Sequence, residues 1–357
     1  MKKLCLLILA LLIPLTGCRR YPGILPYARE IEDMELIRTL GVDGLEGDAV
    51  HVTAAGGDGG AGEVSASRAG SVSAAVLALQ REGDCYRYFG HVTQLLLGEE
   101  LARRSAVPPL EYVLRDVEMR LETALYLVRD GTAEQAIRAA AEEGSATDRL
   151  EALADNAGLT ASSMPRTVKD VLADLDRQGA SFLPAVRPDG ALAAAGYGIL
   201  REGKLVGWAE GDAALGVNLI FGKTDADVVE VEIPGGRAVL RVVGASAAVR
   251  PLWQGKRLTG FRVCCRVDAN LAEGESAPDE ETRAALEEAL ARTTEARVTA
   301  ALECAGALDA DFLGLRPAAA LRAPWRKEVL LGSRSLKGLK METAVQTEIR
   351  RSYHADG

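Results

Sequence analysis

The C-terminal part of this chain contains the stretch Leu339-Lys340-Met341-Glu342-Thr343-Ala344-Val345-Gln346-Thr347-Glu348-Ile349-Arg350. Apolar or threonine side chains alternate there with charged or amide side chains. Because successive side chains of a strand point to opposite faces, the pattern predicts one long strand with a buried face and a face in water. Together with the helical patterns elsewhere in the chain, this sheet pattern predicts an α+β fold.

The residues just before this strand predict a sheet and one long helix. Alternation at 229–233, a Gly235-Gly236 turn and the return at 238–243 predict a hairpin. A second pair of strands is predicted on either side of Gln254-Gly255-Lys256. Between this pair and the last strand, apolar residues recur on one face from 278 to 302, which predicts a helix.

The first half of the chain is predicted to be mainly helical, with a hairpin at each end. Apolar spacing of three and four residues predicts helices at 71–81, 92–105, 110–130, 133–142 and 167–178. Two strands are predicted within 31–53, and a second hairpin turns at 201–204. The glycine-rich residues 56–62 lack the lysine and hydroxyl of a phosphate-binding loop, and we interpret them as a hairpin tip.

The N-terminus has the pattern of a bacterial lipoprotein signal. Lys2 and Lys3 precede an apolar run at 4–15, and the small residues Thr16 and Gly17 precede Cys18. An ordinary signal peptide and a single membrane anchor are the alternatives, although twelve apolar residues are too few to span about 30 Å of hydrocarbon. We therefore predict cleavage before Cys18 and lipidation of its thiol, which would hold the protein at a membrane surface.

The part after Cys18 is long enough for two or three domains of mixed or antiparallel sheets flanked by helices, and the patterns divide it into three stretches. The signal peptide is 1–17, an N-terminal α+β domain 18–150, a middle domain 151–225 and a C-terminal α+β domain 226–357. The chain carries a net charge of −9, and loss of Lys2 and Lys3 with the signal would make it more negative. This charge argues against binding of nucleic acid.

Four cysteines remain outside the signal and the lipidation site: Cys85, Cys264, Cys265 and Cys304. Disulfide pairing is possible in an exported protein, but no C-x-x-C occurs and the spacings form no dense framework. We interpret the four as buried free thiols. Cys264 and Cys265 are adjacent in a strand-like run, so they should point to opposite faces.

No motif of catalysis or metal binding stands out. The three histidines, His51, His91 and His354, are far apart in the sequence, and we predict neither a metal site nor a cofactor. No G-x-S-x-G elbow is present. We interpret His91 as a capping or core histidine, with a pH switch as the alternative, and the carboxylate pairs at 99–100 and 309–311 as solvated faces.

Several short motifs, in order along nearly the whole chain, resemble the Ger(x)C, or GerAC-type, lipoprotein subunits of spore germinant receptors. They are Cys18; Glu30-Ile31 with Leu40-Gly41-Val42-Asp43; Tyr88-Phe89-Gly90-His91; Leu97-Gly98-Glu99-Glu100-Leu101-Ala102-Arg103; Leu110, Arg115-Asp116, Glu118 and Arg120; Gly131-Thr132-Ala133; Gly203-Lys204-Leu205-Val206-Gly207-Trp208; Asp309-Ala310-Asp311-Phe312-Leu313-Gly314-Leu315; and Pro324-Trp325. Each motif is weak alone, and their shared order carries the resemblance.

The resemblance implies three α+β domains and a non-enzymatic subunit needed for germination in response to nutrients. It further implies two integral-membrane partners, the A-type and B-type subunits, and a place on the outer, cortex-facing side of the spore inner membrane. No catalytic residues carry over. The alternative functions are a lipoprotein that delivers a bound solute to a transporter and an anchored envelope hydrolase.

Lipidation at Cys18 would bring the N-terminal half closest to the membrane. We therefore predict a partner interface on the helices at 92–105 and 110–130, with Arg103, Arg115 and Arg120, joined by Arg104 and Glu118. A merely solvated charged face is the alternative.

Overall fold

The computed structural model describes residues 34–56, 64–82, 85–142, 144–155, 164–189, 191–224, 227–234, 236–274 and 279–352. The predicted signal peptide, Cys18, His354 and most of the glycine-rich loop lie outside these residues. The described strands are β1 (Met34–Gly44), β2 (Val50–Gly56), β3 (Val64–Ala69), β4 (Tyr86–Tyr88), β5 (Gln94–Gly98), β6 (Ala124–Val128), β7 (Ala180–Asp189), β8 (Ala191–Arg201), β9 (Lys204–Ala209), β10 (Val228–Ile233), β11 (Gly236–Gln254), β12 (Arg257–Glu273) and β13 (Lys340–Ser352).

The described helices alternate with these strands in the first half and cluster near the end of the chain. They are α1 (Val72–Glu82), α2 (Glu99–Arg104), α3 (Val107–Arg115), α4 (Ala133–Glu142), α5 (Ala146–Asp155), α6 (Val168–Gln178), α7 (Asp212–Phe221), α8 (Glu280–Ala307), α9 (Leu315–Arg322) and α10 (Lys327–Leu331). Short 3₁₀ turns occur at Phe89–His91 and Pro324–Arg326.

A mixed sheet occupies the first two thirds of the chain, in the order β3-β2-β1-β5-β6-β7-β8-β9, with β4 also paired to β1. Its central ladders, from β1 through β5 and β6 to β7, are parallel, and the hairpins at both edges are antiparallel. The hairpins predicted within 31–53 and around 201–204 are confirmed. β2 and β3 pair antiparallel on either side of the predicted hairpin tip.

Two of the predicted helices are wrong over half or more of their length. The segment 92–105 contains β5 and then the short α2, and 110–130 contains the end of α3, a connection and β6. Both strands lie in the middle of the sheet, and Leu95, Leu96, Leu125 and Leu127 are fully buried or nearly so. A central parallel strand is apolar on both faces, so its sequence shows no alternation and merges with the helical pattern beside it.

Helices cover both faces of the first sheet. Leu95, Leu97 and Leu125 share a core with α1, α2, α3 and α6, whereas Leu96 and Tyr126 share another with α4 and α5. The helices predicted at 71–81, 133–142 and 167–178 are confirmed by α1, α4 and α6. Thr167 caps α6, because its side chain accepts a hydrogen bond from the Asp170 N–H and the Asp170 carboxylate accepts one from the Thr167 N–H.

A second sheet, in the order β10-β11-β12-β13, forms the C-terminal part. The predicted hairpins, the helix and the last strand are confirmed, but β11 is one strand of 19 residues that serves both hairpins. β13 pairs parallel to β12 because the chain crosses back through α8 before entering it. One face of β13 packs against α8. There the side-chain hydroxyls of Thr299 on α8 and Thr343 on β13 are 3.1 Å apart.

The ladder between β6 and β7 crosses the predicted domain boundary at residue 150. Residues 34–209 therefore contribute strands to one sheet. The division into three domains remains a prediction.

The four described cysteines are free thiols. Cys265 is buried and Cys264 only half-buried, which confirms that they point to opposite faces of β12. Burial raises the pKa of the Cys265 thiol to about 11, so this side chain stays protonated at neutral pH. Cys85 is exposed, and its interpretation as a buried thiol is wrong.

The contact between α7 and α8 gives a prediction about stability. A Cβ at Gly216 would lie 2.0 Å from the carbonyl oxygen of Arg297, so Gly216→Ala must push the two helices apart. We expect a loss of about 1–3 kcal/mol in the free energy of unfolding, measured by denaturant titration.

Gly306→Ala is the matched control within α8. Nothing lies within 4 Å of a Cβ built there, and alanine is the better helix former by up to about 1 kcal/mol. Equal free energies of unfolding for the two variants would contradict the close helix contact.

Candidate partner interface

Three of the predicted interface arginines lie on two short helices, Arg103 and Arg104 on α2 and Arg115 on α3. Arg103 on α2 makes an ion pair with Glu99, with 2.6 Å between Nη2 and Oε1. Arg115 on α3 makes a longer pair with Glu111, with 3.4 Å between Nη2 and Oε2, and its side chain is 73% exposed. Both pairs are in contact with water, and each contributes little to stability. The arginines are therefore available to a partner.

A groove of about 510 Å³ lies between α2, α3, the start of α1 and the turn that joins β1 to β2. We call it the α2–α3 groove. Its floor includes Val50, Val72 and Leu101. Its polar lining comprises Asp48, Ser71, Ser73, Arg104, Ser105, Glu111, Tyr112, Arg115 and Asp116. The groove thus combines an apolar floor with both signs of charge at its rim, which is the usual pattern of a protein interface.

The surroundings of two groove residues determine the protonation of Tyr112 and the position of the Arg104 side chain. Burial and the neighbouring Asp116 carboxylate raise the pKa of Tyr112 well above its usual range, so its hydroxyl stays protonated. The guanidinium of Arg104 donates to the carbonyl of Gly47 and crosses over Gly44, where it would meet any added Cβ. Because Gly44 has no side chain, the side chain of Arg104 can run along the wall of the groove.

A second, smaller depression of about 330 Å³ lies on the other side of α2, where Arg103 sits beside Glu100, Gly131 and Thr132. Asp43 at its base is a structural residue. Its carboxylate accepts the N–H groups of Ala133 at 2.7 Å and of Glu134 at 3.0 Å, which caps α4. Burial raises the pKa of Asp43, whereas the two N–H groups lower it. α2 therefore directs Arg103 and Arg104 into different concavities.

The other two predicted residues lie after α3. Glu118 accepts a hydrogen bond from the hydroxyl of Tyr86 at 3.1 Å, which ties it to β4. Arg120 is exposed in the connection to β6 and lines neither concavity. The structure thus brings Arg104 and Arg115 together in one groove and separates them from Arg103 and Arg120.

Sequence reasoning missed the apolar part of this surface. Leu77 on α1, Leu114 on α3 and Val117 just after α3 are all exposed, Val117 by 86%. Leu77 and Leu114 fit the helical spacing of core residues, so the sequence offered no sign that they point outward. Three exposed apolar side chains on the elements around the groove strengthen its interpretation as an interface.

Two interpretations of acidic and histidine residues are corrected. Asp309 and Asp311 are buried rather than solvated. His91 is exposed at the end of a 3₁₀ turn, where its ring lies 5.6 Å from that of Tyr88, so it is not a core histidine. Among the described residues no group of three or more histidine, cysteine or acidic side chains could hold a metal ion.

No helix within the described ranges is both long and apolar enough to cross a membrane.

Comparison with known proteins assigns the family. The model "Spore germination protein N-terminal domain" matches residues 27–188, and "Spore germination B3/ GerAC like, C-terminal" matches residues 195–353. A solved structure titled "Crystal Structure of the GerBC protein" superposes with a TM-score of 0.56 at 15% identity, over 86% of this chain and 96% of that chain. No curated protein matches the sequence significantly. Because the two family models together cover nearly the whole chain, this protein belongs to the Ger(x)C family of spore germination proteins.

Proposed function

We propose that this chain is a non-enzymatic, lipid-anchored subunit of a spore nutrient germinant receptor. Membership of the Ger(x)C family supports a role as a germinant receptor subunit, and the match of two family models along the chain is the observation that carries the proposal. The GerBC-like fold over most of the length agrees with it. The family is not known for catalysis.

The proposed partners are the integral-membrane A-type and B-type subunits of the receptor. The lipid at Cys18 would hold the chain on the outer, cortex-facing side of the spore inner membrane, where it would meet these subunits. Lipid attachment alone confines the chain to two dimensions, which favours assembly with membrane-embedded partners.

The α2–α3 groove is the proposed contact with these partners. It combines an apolar floor, two guanidinium groups and three exposed apolar side chains nearby. Arg104 and Arg115 offer hydrogen-bond donors to carboxylates or backbone carbonyls, and Leu114 offers apolar area. Such a surface suits a protein partner better than a small solute, because it is wide and rimmed by charge.

The solute-delivery alternative is less well supported. A periplasmic-type binding protein has two similar α/β lobes around a cleft, whereas here the first sheet has nine described strands and the second has four, with a different topology.

The anchor gives the first functional prediction. Cys18→Ala removes the thiol that would receive the lipid, so we expect complete loss of lipid labelling and a shift of the protein out of the membrane fraction. The measurement is metabolic lipid labelling with fractionation, in cells that lack the proposed partners. Normal retention of the variant in the membrane would show that another feature holds the chain there.

The groove gives the second functional prediction. Arg115→Glu reverses a charge in the proposed interface, and a loss of about 1.4 kcal/mol or more there lowers affinity at least tenfold. We expect a large fall in the rate of nutrient germination and in the amount of assembled receptor. Because the side chain is exposed, the free energy of unfolding should change by no more than about 0.5 kcal/mol.

Arg292→Glu is the matched control for that variant. Arg292 on α8 makes the same kind of ion pair, with Glu288 at 2.8 Å, and its side chain is similarly exposed. Spores with this variant should germinate like the parent strain. If both variants germinate normally, the interface lies elsewhere, and if Arg115→Glu unfolds the chain, Arg115 is a structural residue.

A further inference from the structure

Three large apolar side chains point into water on the helical segment that follows the long helix α8. Leu321 is 85% exposed, Trp325 79% and Val329 50%. They lie within nine residues of one another along the chain, one each in α9, the 3₁₀ turn and α10, while Ala320 and Leu330 near them in the sequence are buried. We call Leu321, Trp325 and Val329 the Trp325 surface. Single exposed apolar residues are ordinary, but a cluster of large ones marks a contact with another molecule.

The segment that carries this surface is firmly attached to the rest of the protein. The buried guanidinium of Arg316 donates to the carbonyls of Leu330 at 2.9 Å and Ser335 at 2.6 Å, which holds α9 and α10 together. Arg326 donates to the carbonyl of Gly255 at 3.1 Å and lies 4.2 Å from the ring centre of Trp253. The apolar side chains are therefore displayed on a fixed backbone.

Positive charge surrounds the Trp325 surface, although the chain as a whole carries −9. Arg322 and Lys327 are exposed on the same segment, and Lys256 and Arg257 are exposed in the adjoining turn between β11 and β12. Among the described residues, neither the Arg322 nor the Lys327 cation forms an ion pair with a carboxylate within 4.0 Å. Glu328 is the one acidic residue between 315 and 338.

We propose that the Trp325 surface is a second membrane contact, which rests on the headgroups of an anionic bilayer. Tryptophan favours the boundary between headgroups and acyl chains, leucine and valine enter the acyl region, and the surrounding cations attract lipid phosphates. An acidic protein surface would also complement the cations, but it accounts less well for three protruding apolar side chains. Binding of such a protein is the competing outcome of the test.

The proposal relies on the proposed anchor in one respect, since lipid at Cys18 brings the bilayer within reach. A fully extended chain from Cys18 to Met34 spans at most about 55 Å, which is the upper limit of the tether. A tethered surface meets the bilayer at high effective concentration, so a contact that is weak in solution becomes populated. The contact would then fix the orientation of the ectodomain, which a lipid tether alone does not.

The test uses the mature chain, residues 18–357, with Cys18→Ser so that no lipid is attached. Its partition is measured with vesicles of equal parts phosphatidylcholine and phosphatidylglycerol, and with vesicles of phosphatidylcholine alone. We expect binding to the anionic vesicles that weakens in high salt, and about a tenfold lower partition for Trp325→Ala. Val228→Ala, which shortens a half-exposed apolar side chain on β10, should leave partition unchanged.

Because this variant carries no lipid, its result is independent of whether Cys18 is the anchor. Equal binding of the unsubstituted mature chain to both kinds of vesicle would overturn the proposal. Equal partition of Trp325→Ala and the unsubstituted mature chain would overturn it too. So would loss of partner subunits from Trp325→Ala receptor complexes with unchanged vesicle binding, since the surface would then be a protein interface. The melting temperatures of all variants should agree, which excludes unfolding as the cause.

Discussion

The buried carboxylate of Asp311 is the contact on which the start of the C-terminal helix α9 depends. It accepts the N–H groups of Leu315 at 2.7 Å and Arg316 at 2.9 Å, which starts α9. Burial raises its pKa to about 6, and the nearby N–H groups and the Arg316 cation act in the opposite direction. Asp309, two residues earlier, accepts the hydroxyl of Ser335 and the N–H of Leu336, and its carboxylate lies 3.2 Å from Arg201 at the end of β8. Residues 309–311 thus start α9, hold the loop before β13 in place and make a contact with the first sheet.

The sequence predicted the second sheet better than the first. In β13 the alternation of apolar and polar residues survives because one face meets α8 and the other meets water. β5 and β6 are buried on both faces, so Leu95–Leu97 and Leu125–Val128 carry no alternation and were taken for parts of helices. The pairing of β12 with β13 could not be predicted either, since its parallel direction depends on how the chain returns through α8 and α9.

The charged residues of the candidate site could be predicted from the sequence, but the shape of the groove could not. Exposed arginines at 103, 104, 115 and 120 follow from their place on or after amphipathic helices. That α2 sends neighbouring arginines into two concavities depends on the crossing of α2 over Gly44, a tertiary contact. The exposure of Trp325 could not be predicted either, because tryptophan is usually buried, whereas here the neighbouring Ala320 and Leu330 are the buried residues of the segment.

The described residues form a mixed sheet with a core on each face, a second sheet of four strands and a charged groove, which is the proposed contact with the partner subunits. The proposed role as a receptor subunit is tested most directly by isolating the tagged protein from the inner membrane of spores and identifying its companions by mass spectrometry. The account predicts recovery from that membrane together with two integral-membrane proteins of the A-type and B-type in a constant ratio. Recovery of the chain alone, or from a soluble fraction, would contradict it.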